Sequence, residues 1–204
     1  MTLHANLVSG AGFVDPVLSS QSVFRGVMNA LARPGSIQTI AEAAHAPSRL
    51  MPAAAAVALT LFDHDTPVWL DDHFAADAEI ASWLRFQSDA PLTTDPVRAA
   101  FALIHSGVML PDFENFALGM PEYPDRSTTL VVQVETLTGG QALILEGPGI
   151  RDTSVLRAGT LPSDFVERML ANRALFPRGV DLLLVCGTEL VALPRSIHVT
   201  AKEA

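Results

Sequence analysis

Apolar Val23, Phe24, Val27 and Leu31 recur at three- and four-residue spacing, which predicts a helix over residues 21–32 with those four on its inner face. Ser19 or Ser20 supplies an N-cap, and Pro34-Gly35 stops the helix. A short strand over 37–40 follows, then a loop or weak helix over 41–49. Residues 52–62 are apolar on every side, so they predict a buried helix with Pro52 in its first turn and Ser48 as its cap. Asp63-His64-Asp65 and Asp71-Asp72-His73 bracket a strand over 67–70. An amphipathic helix over 76–86 carries Ile80, Trp83 and Leu84. Beyond a linker at Pro91 come a short helix over 96–101, a strand end over 102–104, and one turn from Pro111-Asp112 that holds Phe113 and Phe116.

The second half reads differently. An alternating apolar run over 130–137, the Gly139-Gly140 turn and a second run over 142–145 predict a β-hairpin, closed by Gly147-Pro148-Gly149-Ile150. A helix starts at Leu161-Pro162-Ser163 and runs to about 175, with Phe165, Met169 and Leu170 inward. Pro177-Arg178-Gly179 ends it, and Arg178 is placed to meet the helix-end carbonyls. Strands over 180–186 and 189–193 turn at Gly187-Thr188, and Pro194-Arg195 closes the domain. Helices alternate with strands first and hairpins dominate later, which predicts an α/β fold: a mixed sheet with helices on both faces. At 204 residues the expectation is a single domain, 1–204, with 1–15 as a flexible or docking arm.

Composition narrows the class. Apolar residues are 49% and charged residues 17%, a ratio that points to a buried subunit interface. The net charge is -9 and no basic run occurs, so nucleic acid and anionic membranes are not expected partners. The first residues lack a signal-peptide pattern, and the apolar run over 50–62 is too short to span a bilayer, so the expected location is cytoplasmic. The thirteen basic side chains are twelve Arg and one Lys, Lys202 near the end. A core without lysine has no Schiff-base nucleophile. The lone Cys186 in an apolar run reads as a small buried residue.

Catalytic signatures are missing. There is no Walker loop, no dinucleotide fingerprint and no Gly-x-Ser-x-Gly elbow. The Asp-His-Asp and Asp-Asp-His triplets flank opposite ends of one strand, so they read as strand-end caps, and no metal is expected. Glu122-Tyr123-Pro124-Asp125-Arg126-Ser127-Thr128-Thr129 is the polar concentration: an aromatic ring, carboxylates, a guanidinium and three aliphatic hydroxyls within eight residues. Two readings stay open for it. It holds an anion or a partner's polar groups, or its side chains satisfy a proline-bent loop.

The chain resembles the PhnH family of the bacterial carbon–phosphorus lyase system. The resemblance rests on Phe24-Arg25, Met28 and Ala30-Leu31-Ala32-Arg33-Pro34-Gly35; on Asp63-His64-Asp65-Thr66-Pro67-Val68-Trp69-Leu70 and Trp83-Leu84-Arg85-Phe86; and on Pro121 to Thr129, Gly147-Pro148-Gly149-Ile150, Gly159-Thr160-Leu161-Pro162, residues 172–181 and Leu193-Pro194-Arg195. Thr160 departs from the expected Gly-Leu-Pro. The resemblance implies a three-layer α/β/α sandwich similar to pyridoxal-phosphate-dependent transferases, but without a cofactor. It implies a homodimer in isolation and association with the G, I and J subunits. With them the chain would support displacement of adenine from ATP by an alkylphosphonate, giving ribose 1-phosphonate 5-triphosphate, without being catalytic alone. It supplies no catalytic residue. Tyr123, Asp125, Arg126 and Arg178 are therefore the candidate binding residues, for a polyanion or an adjoining subunit. The alternative is a stand-alone enzyme that binds a phosphorylated small molecule at the Tyr123–Arg126 loop.

Overall fold

The computed structural model describes residues 12–40 and 45–201. Most of the expected N-terminal arm, part of the 41–49 segment and Lys202 lie outside these residues.

Helix α1 spans Pro16–Ala32 and begins earlier than the periodicity predicts. Asp15, not a serine, is its N-cap: the carboxylate accepts from the Leu18 N–H at 3.1 Å, and Pro16 occupies the first turn, where its missing N–H costs nothing. Its buried face is Ser19, Val23, Val27 and Ala30. Phe24 lies outside, 51% exposed, a correction to the expected inner face. Small and β-branched residues suit the inner face because α1 packs on helix α2, Pro52–Leu61, whose Ala53 to Ala58 are wholly buried. The cap of α2 also differs from expectation. Ser48 plays no part; the Met51 N–H donates to Gln133 Oε1 at 2.7 Å and the Ala53 N–H to the Gly187 carbonyl at 2.9 Å.

The central sheet contains β1 (Gln38–Thr39), β2 (Val68–Leu70), β3 (Leu92–Thr93), β4 (Phe101–Ile104), β5 (Thr129–Gln133), β8 (Asp181–Cys186) and β9 (Glu189–Leu193). Its order is β1-β9-β8-β5-β4-β2-β3. The run from β3 to β8 is parallel, while β8–β9 and β9–β1 are antiparallel. A separate three-stranded antiparallel sheet contains β10 (His198–Ala201), β6 (Leu143–Glu146) and β7 (Ser154–Leu156), in that order. The fold is therefore mixed α/β with one large mixed sheet, as expected in outline. Period-two alternation splits the core in two. Leu103, Val131, Leu183 and Ala192 pack with α1, α2, the short helix α3 (Asp72–Ala75) and α4 (Ala78–Ser88). Ile104, Val132, Leu184 and Val191 pack with α5 (Phe165–Ala174) and the small sheet.

The hairpin expected over 130–145 does not form. Strand β5 sits between β4 and β8, and β6 belongs to the small sheet. The physical reason is visible in the run itself: Leu130, Val131, Val132 and Val134 are all buried, as in a parallel strand covered on both faces, so the run never alternated. Leu170, expected inward on α5, is 38% exposed, and buried Asn172 takes the inner position. The helix expected over 96–101 is one 3-10 turn, Pro96–Arg98, after which the chain already runs as β4. The hairpin of β8 and β9 forms as expected, with Gly187 at φ 57° in its turn. Pro194-Arg195 does not end the fold, because β10 follows and completes the small sheet.

Candidate functional site

Strands β2, β4 and β5 are parallel, so the residues that follow or end them share the carboxyl edge of the sheet. These are Asp71, His105 and Gln133. In open α/β sheets this edge is where ligands bind. Asp71 caps α3 through Oδ1, which accepts from the Phe74 N–H at 2.9 Å. Its other oxygen accepts from the His105 N–H at 2.8 Å and lies 2.6 Å from His105 Nδ1. A carboxylate only accepts, so His105 carries its proton on Nδ1. No described residue hydrogen-bonds its Nε2. His73, on the first turn of α3, stacks on this ring with centroids 4.1 Å apart and planes at 22°. Its own Nε2 is 3.4 Å from Arg49 Nη1. A guanidinium only donates, so His73 Nε2 is the acceptor. Arg49 is exposed and lies 3.6 Å from an Asp77 carboxylate oxygen on its Nε side.

Gln133 ties these segments together from below. Its Oε1 accepts from the Met51 N–H, and its Nε2 donates to the carbonyls of Arg49 at 3.1 Å and His105 at 3.4 Å. Asp71 and Gln133 are 6% and 5% exposed. Burying polar side chains is costly unless every bond is made. Here both are buried, and both hold the backbone under solvent-reaching Arg49, His73 and His105. Cys186 ends the neighbouring β8. It is half-buried rather than fully buried, and its Sγ donates to the Glu135 carbonyl at 3.3 Å.

The residues proposed from sequence lie at the other edge. The 122–128 loop precedes β5 and Arg178 precedes β8, so Tyr123, Asp125, Arg126 and Arg178 share the amino edge. Arg126 lies over the Tyr123 ring, 4.4 Å from its centroid. Asp125 is exposed and Arg178 half-buried. No contact joins the Arg178 side chain to the other three or to the helix-end carbonyls among the described residues; its N–H donates to the Leu175 carbonyl at 3.0 Å. The loop is held by Arg195, which bonds the Pro124 carbonyl at 2.7 Å, the Ser127 hydroxyl and the Asp181 carboxylate. Thr128 is wholly buried and bonds the Ala99 carbonyl at 2.6 Å. Two of the loop's three hydroxyls are therefore structural. Among the described residues, no group of three or more His, Cys, Asp or Glu side chains is placed to hold a metal, and no helix is long and apolar enough to cross a membrane.

Sequence reading missed the carboxyl-edge cluster. Asp71-Asp72-His73 was visible as a capping triplet, and Asp71 does cap, but its partner lies 34 residues away. Gln133 carried the better signal: a polar residue set between apolar Leu130-Val131-Val132 and Val134.

Residues 11–200 match the model of the bacterial phosphonate metabolism protein (PhnH) family. The chain belongs to the PhnH family. It is 47% identical over 196 residues to the alpha-D-ribose 1-methylphosphonate 5-triphosphate synthase subunit PhnH of Rhizobium meliloti (strain 1021), covering 96% of this chain and 97% of that protein. It is 30% identical over 184 residues to HtxG of Stutzerimonas stutzeri, named as a candidate C–P lyase subunit, covering 90% of this chain and 87% of that one. The family match over 11–200 takes in both edges of the sheet, so the carboxyl-edge cluster and the Arg195-held loop fall inside it.

Proposed function

We propose that this chain is a subunit of a carbon–phosphorus lyase assembly, acting with its partners in the conversion of ATP and an alkylphosphonate to ribose 1-phosphonate 5-triphosphate and adenine. The observation that carries the reading is the near full-length, 47% identity to a synthase subunit whose name states that product. The chain works in the cytoplasm as one domain, associates with the G, I and J subunits, and is a homodimer when isolated. It is not catalytic by itself. Its architecture is a three-layer α/β/α sandwich similar to pyridoxal-phosphate-dependent transferases, a reading supported by the two cores on opposite faces of the sheet.

Two surfaces support a role in assembly. Val17, Phe24 and Met28 form an apolar stripe on the outer side of α1, 66%, 51% and 48% exposed, opposite the buried face. Tyr123, Asp125, Arg126 and Arg178 offer a polar contact surface at the amino edge for an adjoining subunit. The test is growth. A strain deleted for its own copy of this subunit, supplied with methylphosphonate as sole phosphorus source, grows again when this chain is expressed. No growth, with the chain present and soluble, counts against the reading.

A further inference from the structure

We infer that Arg49, His73 and His105 form a binding site for a tetrahedral phosphoryl or phosphonyl oxyanion, with His105 Nε2 sharing one proton with the bound group. The phosphonate-metabolism reading supplies only the choice between these two ligands; the site itself is argued from geometry.

Three observations converge. Arg49 lies between two neighbours, His73 at 3.4 Å from Nη1 and Asp77 at 3.6 Å from Nε, which orient the guanidinium while leaving N–H donors over. A guanidinium with free donors is the group that grips phosphate-like oxygens in pairs. His105 is oriented by a buried carboxylate through a 2.6 Å bond, and its Nε2 has no partner among the described residues. Its side chain is 26% exposed, enough to be reached and too little to rotate freely. Gln133 then bolts the Arg49 and His105 backbones to the same strand end, so their spacing does not drift. Structural needs alone do not call for this. Asp71 and Gln133 could satisfy the backbone with any side chains at 49, 73 and 105.

The proton follows from the tautomer. With Nδ1–H given to Asp71, Nε2 is the ring atom left to meet the ligand: without a proton it accepts from a P–OH, and with one it donates to a P–O⁻. An oxyanion bearing one P–OH donates that proton to Nε2. A fully ionised oxyanion brings none, and His105 must take one from solvent. The charged and titratable groups around the ring are Asp71, His73 stacked on it, and Arg49 with Asp77 behind His73. Sulfate has the same shape and no proton to offer near neutral pH, so it should bind more weakly than phosphate or methylphosphonate.

The experiment is a titration of the full-length protein with methylphosphonate, inorganic phosphate and sulfate, read on the imidazole signals of His73 and His105 by NMR and assigned with His73→Asn and His105→Asn. Saturable shifts on both rings are expected, weaker for sulfate. Arg49→Gln, at an exposed side chain, should keep the melting temperature and weaken affinity about tenfold, the loss of one charge-assisted contact. Tighter binding of methylphosphonate assigns the site to phosphonates, and equal binding to the shared oxyanion chemistry. No saturable shift on either ring, or an Arg49→Gln titration equal to the parent, overturns the inference. Either result is independent of whether the chain restores growth on methylphosphonate.

Discussion

Gln133 Nε2 donates to the Arg49 carbonyl at 3.1 Å, joining positions 84 residues apart. The same amide accepts from the Met51 N–H at the start of α2, so one side chain replaces the serine cap that the sequence pattern expects. Gln133→Leu leaves a buried N–H and its neighbouring carbonyls unpaired and should destabilise by about 2–4 kcal/mol. Gln133→Glu keeps the acceptor for Met51 but sets a second oxygen against the Arg49 and His105 carbonyls. It should be the more damaging of the two in urea unfolding. A Glu variant as stable as the parent would show that the amide donor does nothing here.

Arg195 fastens the amino edge as Gln133 fastens the other. Its guanidinium is largely buried against Asp181, the Pro124 carbonyl and Ser127. Arg195→Met leaves Asp181 without its cation and should cost about 3 kcal/mol, as expected when one partner of a mostly buried pair is removed. The 122–127 loop should then be cut faster by protease than the rest of the chain. Arg195→Lys should recover only part of the loss, because an ammonium cannot make the forked contact. Equal protease resistance in parent and Arg195→Met would remove this role.

Thr160 adopts φ 61°, where a β-branched residue is strained. Its hydroxyl gives something back, accepting from the Glu135 N–H at 3.2 Å and donating to the Gly159 carbonyl at 2.6 Å. Thr160→Ala loses the bonds and keeps the strain. Thr160→Gly loses the bonds and relieves it. Thermal melts should therefore rank Gly above Ala by about 1 kcal/mol. The reverse order would mean that the left-handed backbone is not a constraint at this site.

The first turn of α5 carries the pH-sensitive pair. The Arg168 guanidinium, by hydrogen bonding and then by its charge, holds the Asp164 carboxyl below its ordinary value of 3.8. A depressed carboxyl contributes stability above its unfolded value, and the contribution fades as pH falls through the folded one. Asp164→Asn should lower the melting temperature slightly at neutral pH, and the difference should vanish in acid. A gap that persists or widens in acid would rule out this pairing as its source.

Helix and strand positions were largely legible in the sequence, because Ile80, Trp83 and Leu84, or Phe165 and Met169, face the core at the spacing a helix requires. Pairing was not. The 130–137 run predicts a hairpin because Gly139-Gly140 fits a turn. The bonds there run instead within the loop: Thr136 Oγ1 accepts from the Thr138 and Gly139 N–H groups at 3.1 and 3.0 Å. Local turn chemistry does not state which sheet the next strand joins. The site was hidden for the same reason. Asp71 and His105, or Gln133 and Arg49, meet only after parallel strands bring their ends together, whereas the polar density of Glu122 to Thr129 was local and drew attention to the opposite edge.

Assembly with other subunits is the central proposal for this chain. The direct measurement is co-expression of tagged full-length chain with untagged G, I and J subunits, followed by affinity capture and size-exclusion chromatography. One peak that contains all four is expected, with reduced recovery when Phe24→Asp and Met28→Asp alter the exposed α1 stripe without changing the melting temperature. Elution of the folded chain alone, with none of the other subunits retained, would contradict it.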